Sequence, residues 1–196
     1  MNNEVVIDES LDAPGAGLAW HKEKLIQYLV VPVLPIIFNW DRGLLNLQSQ
    51  ISQIVDLVKD LDEVTLSKQV LVPPMFALED SSRFWSINMV VEHLVIVNLG
   101  TYEIIDMLSQ ENEVERVLGT EKVKPFKNTN HTKNLIVFEK AYSRLIRKNS
   151  KQTSVTTKEH PWFGSFTNKQ WHAFIGIHNK VHKKQIQMIL RLLEKA

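Results

Sequence analysis

Residues 167–194, TNKQWHAFIGIHNKVHKKQIQMILRLLE, open on a helix start signal and then hold a helical period. Thr167 and Gln170 have the spacing of a capping box, in which hydroxyl and amide each satisfy a free backbone N–H. Trp171, Phe174, His178, Val181, Gln185, Met188 and Leu192 follow at intervals of three or four. That pattern is one face of a long helix directed at a core. It predicts a helix from Thr167 to about Glu194.

Three more amphipathic stretches precede it. From Asp41 to Leu61, the residues Leu44, Leu47, Ile51, Ile54, Val55 and Val58 form a stripe, with Gln48, Gln50, Asp56 and Lys59 largely between them. A connection of about 20 residues with Pro73 and Pro74 leads to Ser81 or Ser82, which offers an N-cap. The helix expected from there to Leu108 carries Trp85, Met89, Val90, Ile96, Val97, Ile104 and Leu108 on its apolar face. The third helix is expected from Asn130 to Lys148, with Leu135, Phe138, Tyr142 and Leu145 in register and a basic last turn that complements the helix dipole. Four such helices and no convincing strand predict an all-α fold, an antiparallel four-helix bundle. The long connection over 149–166 leaves room for a crossover or a small lid.

The expected organisation is a tail and short helix over residues 1–38 and the bundle over 39–196. A helix over 17–31 would be broken by Pro32 and Pro35. The acidic N-terminus lacks a basic and then apolar leader. The most apolar run, residues 28–38, is too short and too interrupted to span a membrane, which takes roughly 20 apolar residues. The expectation is a cytoplasmic protein without a membrane partner.

The chain has 196 residues, 44% apolar and 23% charged, with a net charge of +1. This is the composition of an ordinary globular domain. It provides no general attraction for nucleic acid, and short basic runs at 144–151 and 180–184 read as solvated helix faces. Cysteine is absent, which excludes disulfides, thiolate nucleophiles and Cys-bound zinc. There is no GxSxG elbow, P-loop or GxGxxG, and no E-xx-H carboxylate pairs of a di-iron bundle.

The chemistry rests on histidines. His178 and His182 are four apart, a separation that turns about 40° and rises about 6 Å, so both rings can meet one ion. His93 projects from an otherwise greasy face between Met89, Val90, Ile96 and Val97. Neutral imidazole is a ligand for zinc, nickel and iron. A buried polar ring without a partner costs a few kcal/mol. One cation would serve all three rings; a hydrogen-bonded core cluster is the plain alternative. His172 is turned about 240° from His178 and is expected to face another element or water. His160, before Pro161, reads as a turn residue or as a group overhanging the site. His21 and His131 read as surface residues. Glu92 reads as solvated or paired with another helix. Gln185 is placed to hydrogen-bond a ligand or its support. Trp85 and Trp171 read as core, and Trp162 and Phe163 as the wall of a mouth. Gly100 leaves room beside His93.

The strings WSINMVVEHL at 85–94 and HPWFGSFTNKQWHAFIGIHNKVHKKQI at 160–186 resemble the DinB/YfiT superfamily of metal-binding four-helix bundles. The resemblance extends over about residues 40–194. It implies that His93, His178 and His182 form the metal site, with zinc or nickel most suited and iron a third choice. It implies either hydrolysis by activated water, or thiol transfer or isomerisation in which a low-molecular-weight thiol attacks as thiolate, acting on a small molecule, in a homodimer. The thiol route needs a basic or polar recess. The competing expectation is a non-catalytic bundle that binds metal or a small ligand.

Overall fold

A computed structural model describes residues 8, 10–13, 15–115 and 123–195. The chain enters through α1 (Trp20–Leu25), which passes into a π-helical turn over Ile26–Val30. The helical segment ends before Pro32, as expected, and the chain turns over residues 31–33. Pro35, expected to break a helix, instead lies in the first turn of α2 (Leu34–Ile37), where a missing N–H costs nothing. Leu18, Ile26, Val31 and Leu34 join the same hydrophobic core as the bundle or are buried beside it.

Asn39 then caps α3 (Trp40–Val58), its side chain accepting the N–H of Arg42 at 2.9 Å. The connection that follows contains α4 (Glu63–Ser67), β1 (Val70–Leu71), a 3-10 turn over Asp80–Ser82 and β2 (Phe84–Trp85). The strands β1 and β2 pair antiparallel, Val70 opposite Trp85. This corrects the expected helix start. Ser81 and Ser82 lie in the 3-10 turn, and the cap of α5 (Ile87–Ser109) is Ser86, whose Oγ accepts the N–H of Met89 at 3.1 Å. Strand pairing holds Phe84 and Trp85 extended and delays the helix by one turn.

The third bundle helix, α6 (Thr132–Lys148), is close to its expected span. A short hairpin follows, β3 (Lys158–His160) with β4 (Gly164–Phe166), His160 opposite Gly164. Gly164 has φ +83°, a left-handed conformation that glycine adopts without steric cost. It closes the turn that presents His160 and Trp162. Then α7 (Asn168–Leu193) starts at the expected capping box of Thr167 and Gln170.

In the four-helix bundle α7 packs between α3 and α5, and α6 packs between the same two helices from the other side. The face of α7 turned most fully inward is offset from the expected stripe. His172, Ile175, Asn179, His182, Ile186 and Ile189 are buried there, while Phe174, His178 and Val181 are half-buried. The helix carries Asn and His inside, so an apolar count alone misplaces the centre of its buried arc by about one residue. Among the described residues no helix is long and apolar enough to cross a membrane.

Asp12 and Gly15 do not behave as a free tail. The Asp12 N–H donates to Asp80 Oδ2 at 3.0 Å and the Gly15 N–H to Glu79 Oε1 at 2.8 Å. The rest of the expected tail lies largely outside the described residues.

Candidate metal centre

The α5 helix carries His93, and α7 carries His178 and His182. The contact between these helices brings the three rings together. One ring nitrogen from each lies within 4.8 Å of the others. The Nε2 atoms of His93 and His178 are 3.3 Å apart. His182 has ring centroids 4.6 Å from both neighbours. Trp85 packs against this cluster, stacked on His182 at 6.1 Å and tilted on His93 at 5.1 Å.

Hydrogen bonds set the tautomers. His93 Nδ1 faces the carbonyl of Val123 at 2.7 Å. A carbonyl only accepts, so Nδ1 carries the proton and Nε2 presents a lone pair. His182 Nδ1 meets Gln185 Oε1 at 2.8 Å, and Gln185 Nε2 donates to the Ser82 carbonyl at 2.7 Å. The Ser82 carbonyl fixes which end of the amide accepts, so His182 also presents Nε2 bare. His178 Nδ1 is buried without a partner. Either its Nε2 carries the proton and Nδ1 goes unpaired, or the lone pairs of two Nε2 atoms face each other at 3.3 Å. Neither arrangement satisfies all three rings within the protein.

The rings are held neutral. Burial pushes all three pKa values down from 6.5, His182 to about 4 and the other two well below their usual range; repulsion between the rings adds to this for His93 and His178. The donor set is therefore three neutral imidazoles. Nitrogens bound about 2.05 Å from one tetrahedral zinc stand about 3.3 Å apart, the spacing of His93 Nε2 and His178 Nε2. On chemistry and spacing, the set fits a divalent cation of the zinc, nickel or iron kind.

A cavity of about 120 Å³, partly open to solvent, meets the cluster. Ile96, Val97, Trp162, Trp171 and Phe174 supply apolar wall, and Gly100 also lines it. His160 lines the same cavity. It is 8% exposed rather than an open turn residue. It stacks on Phe163 at 4.6 Å, and Nδ1 accepts the Trp162 N–H at 3.2 Å. Burial lowers its pKa to about 3. Phe163 lies beneath His160 in the core and does not wall the mouth, which falls to Trp162 and Pro161.

His172 faces other elements: Tyr142 Oη donates to its Nδ1 at 2.8 Å, and its Nε2 donates to the Trp40 carbonyl at 2.9 Å. Glu92 is not solvated; it is buried and accepts the Lys127 N–H at 2.9 Å. That contact helps hold the loop that brings Val123 to His93. His21 is exposed, and His131 is half-buried beside Thr129. Trp85 and Trp171 are core residues, and Trp171 also reaches the cavity.

Asn98 and Asn179 exchange side-chain hydrogen bonds at 3.3 and 2.8 Å, both fully buried, and fix the register of α5 against α7 next to His178. Polar residues at core-facing spacing were the available signal. Lys124 lines the cavity with its ammonium on Glu79 and on Ser81 and Ser82 at 2.6 and 3.0 Å, 5.4 Å from the Trp85 ring centroid. Burial lowers its pKa while Glu79 supports the charged form. No sequence pattern marked this pairing, because Glu79 and Lys124 lie on separate loops.

No protein-family model matches the chain, and no curated protein matches it. Among solved structures it is similar to TT2238, a four-helix bundle protein, at 23% identity and a TM-score of 0.52. The match covers 76% of this chain and 97% of that one. At this identity the likeness establishes the bundle fold.

Proposed function

We propose that this chain is a metal-dependent hydrolase of the DinB-like class, with His93, His178 and His182 holding a zinc or nickel ion. The observation that carries the reading is the triad of neutral imidazoles, two with their tautomers fixed, at the end of a solvent-reaching cavity. Bound there, a divalent ion would supply Lewis acidity, polarising a substrate carbonyl and acidifying a water. The protein's own part is orientation. Val123 and Gln185 hold two of the rings, and such support typically changes metal affinity 10–100-fold.

The cavity favours hydrolysis over thiol transfer. A low-molecular-weight thiol cofactor with anionic groups needs a free cation, and Lys124, the one cation among the described lining residues, is engaged by Glu79, Ser81 and Ser82. The aromatic and aliphatic walls suit a small uncharged substrate. One observation supports the non-catalytic alternative, a metal or small-ligand receptor. Glu79, the only carboxylate among the described lining residues, is tied to Lys124, and His160 is a weak base, so no strong general base stands free.

The test is metal analysis of tag-free protein by plasma mass spectrometry, beside His93→Ala, His178→Ala and His182→Ala. About one equivalent of zinc, nickel or iron, lost in each folded variant, supports the site and leads to an ester and amide hydrolysis screen. No metal after incubation with excess zinc or nickel overturns it. Stoichiometric metal with no turnover across the screen favours the receptor.

A further inference from the structure

Among the described residues fifteen large apolar side chains are exposed, and seven of them fall within residues 20–37. The other eight are spread singly from Leu45 to Val155, as on any soluble surface. The seven are not scattered. Backbone hydrogen bonds from Val31 to Ile26, Val33 to Val30 and Ile37 to Val33 carry the path past Pro32 through the turn. Leu25, Leu29, Val33 and Ile37 step by four along it, with Tyr28 and Ile36 beside them. Residues four apart are neighbours on a helix surface, so these form one ridge, with Trp20 near its start, 75% exposed. The opposite side of the path is anchored, since Ile26, Val31 and Leu34 are buried.

We infer that a second copy of this chain covers this ridge, the two ridges packing against each other about a two-fold axis. Such an interface uses the same patch on both subunits. Taking roughly 150–200 Å² per large apolar side chain, the seven exposures of 42–75% leave roughly 600–800 Å² of apolar surface. A stable interface buries roughly 800 Å² on each partner. The largest exposed patch of a monomer is usually roughly 300–600 Å². Trp and Tyr are enriched at interface centres and Lys is depleted. Charge argues against a membrane surface. Binding to anionic lipid draws on clustered Lys and Arg. Within residues 20–37 the Lys and Arg side chains are only Lys22, half-buried, and Lys24, exposed, whose Nζ donates to Gln27 at 3.0 Å and lies 5.7 Å from the Tyr28 ring centroid. The inference stands apart from the metal site, which none of these residues lines.

Sedimentation velocity on the full chain from low to high micromolar tests it, with Leu29→Glu and Ile36→Glu as ridge variants and Leu45→Glu as an exposed apolar control. The expected result is a wild-type dimer, a control that stays dimeric, and ridge variants whose association weakens at least about tenfold with unchanged circular dichroism. A monomeric wild type at all concentrations overturns the inference. So does a dimer indifferent to both ridge substitutions. Co-sedimentation of a monomer with phosphatidylcholine–phosphatidylglycerol vesicles would assign the ridge to a membrane instead. Metal content measured on the same samples keeps this outcome separate from that of the metal site.

Discussion

His93 Nε2 and His178 Nε2 stand 3.3 Å apart although 85 positions of chain separate the two residues. Two buried ring nitrogens at that distance need a shared proton or a cation, and His178 Nδ1 has no protein partner in either case. A cation bound at the triad would therefore stabilise the folded state. At a free metal concentration about a hundredfold above Kd, the gain is about 2.7 kcal/mol. For a chain of this size that is a rise in Tm of about 5–10 °C. Differential scanning fluorimetry with zinc and nickel against a chelator is the check, and His178→Ala is expected to abolish the difference.

Gln185→Leu preserves bulk but leaves His182 Nδ1 and the Ser82 carbonyl without their partner. The His182 ring is then free to change tautomer and turn. Metal affinity is expected to fall about 10–100-fold, measured by competition with a chromogenic chelator. An unchanged affinity would mean that packing against Trp85 alone orients the ring.

Acid is expected to unfold the protein through its buried histidines. The pKa of His172 is lowered from 6.5 to about 4 and that of His160 to about 3, both chiefly by burial. Between the folded and unfolded values the unfolded chain binds more protons, so stability is full above the unfolded value and is lost as pH falls. Urea unfolding in the presence of a chelator should lose a few kcal/mol between pH 7 and pH 4. His160→Phe replaces an imidazole already ringed by Phe163, Phe166, Trp171 and Phe174. It should cost about 1 kcal/mol at pH 7, because the Trp162 N–H loses its acceptor, and make the acid slope shallower. A slope parallel to wild type would show that His160 does not contribute.

Gly43→Ala is expected to destabilise by about 1–3 kcal/mol. An added Cβ would meet His172 Nε2 at 2.5 Å. The imidazole has no room to retreat, because Tyr142 and the Trp40 carbonyl hold it from both sides. Chemical denaturation at pH 7.5 measures the loss. A cost near zero would mean that α3 and α7 can separate at this crossing.

Ser86→Ala removes a helix cap, at about 1–2 kcal/mol. It also removes the hydroxyl that donates to Asn128 Oδ1 at 2.6 Å. Asn128 anchors the loop that carries Val123 and Lys124 by donating to the Ser67 carbonyl. Thermal unfolding should fall by about 2–8 °C, and metal affinity should fall with it as the Val123 carbonyl loses its place. Loss of stability without loss of affinity would confine Ser86 to its capping role.

The four bundle helices were legible because their signals are local. A capping box at Thr167 and Gln170, and apolar residues every three or four positions, act through contacts within a few residues of chain. The pairing of His178 with His182, and the core-facing position of His93, were legible for the same reason. What the sequence left open was set by contacts between distant segments. Strand pairing of Val70 with Trp85 moved the start of α5 to Ser86. The carbonyls of Val123 and Ser82 set the tautomers of His93 and His182, one directly and one through Gln185, and a backbone carbonyl carries no residue-specific mark. Lys124 was neutralised by Glu79 only once two loops met over the cavity. Helix periodicity is written along the chain, whereas charge balance, tautomer and the shape of the cavity depend on groups brought together by packing. Those only the tertiary structure decided.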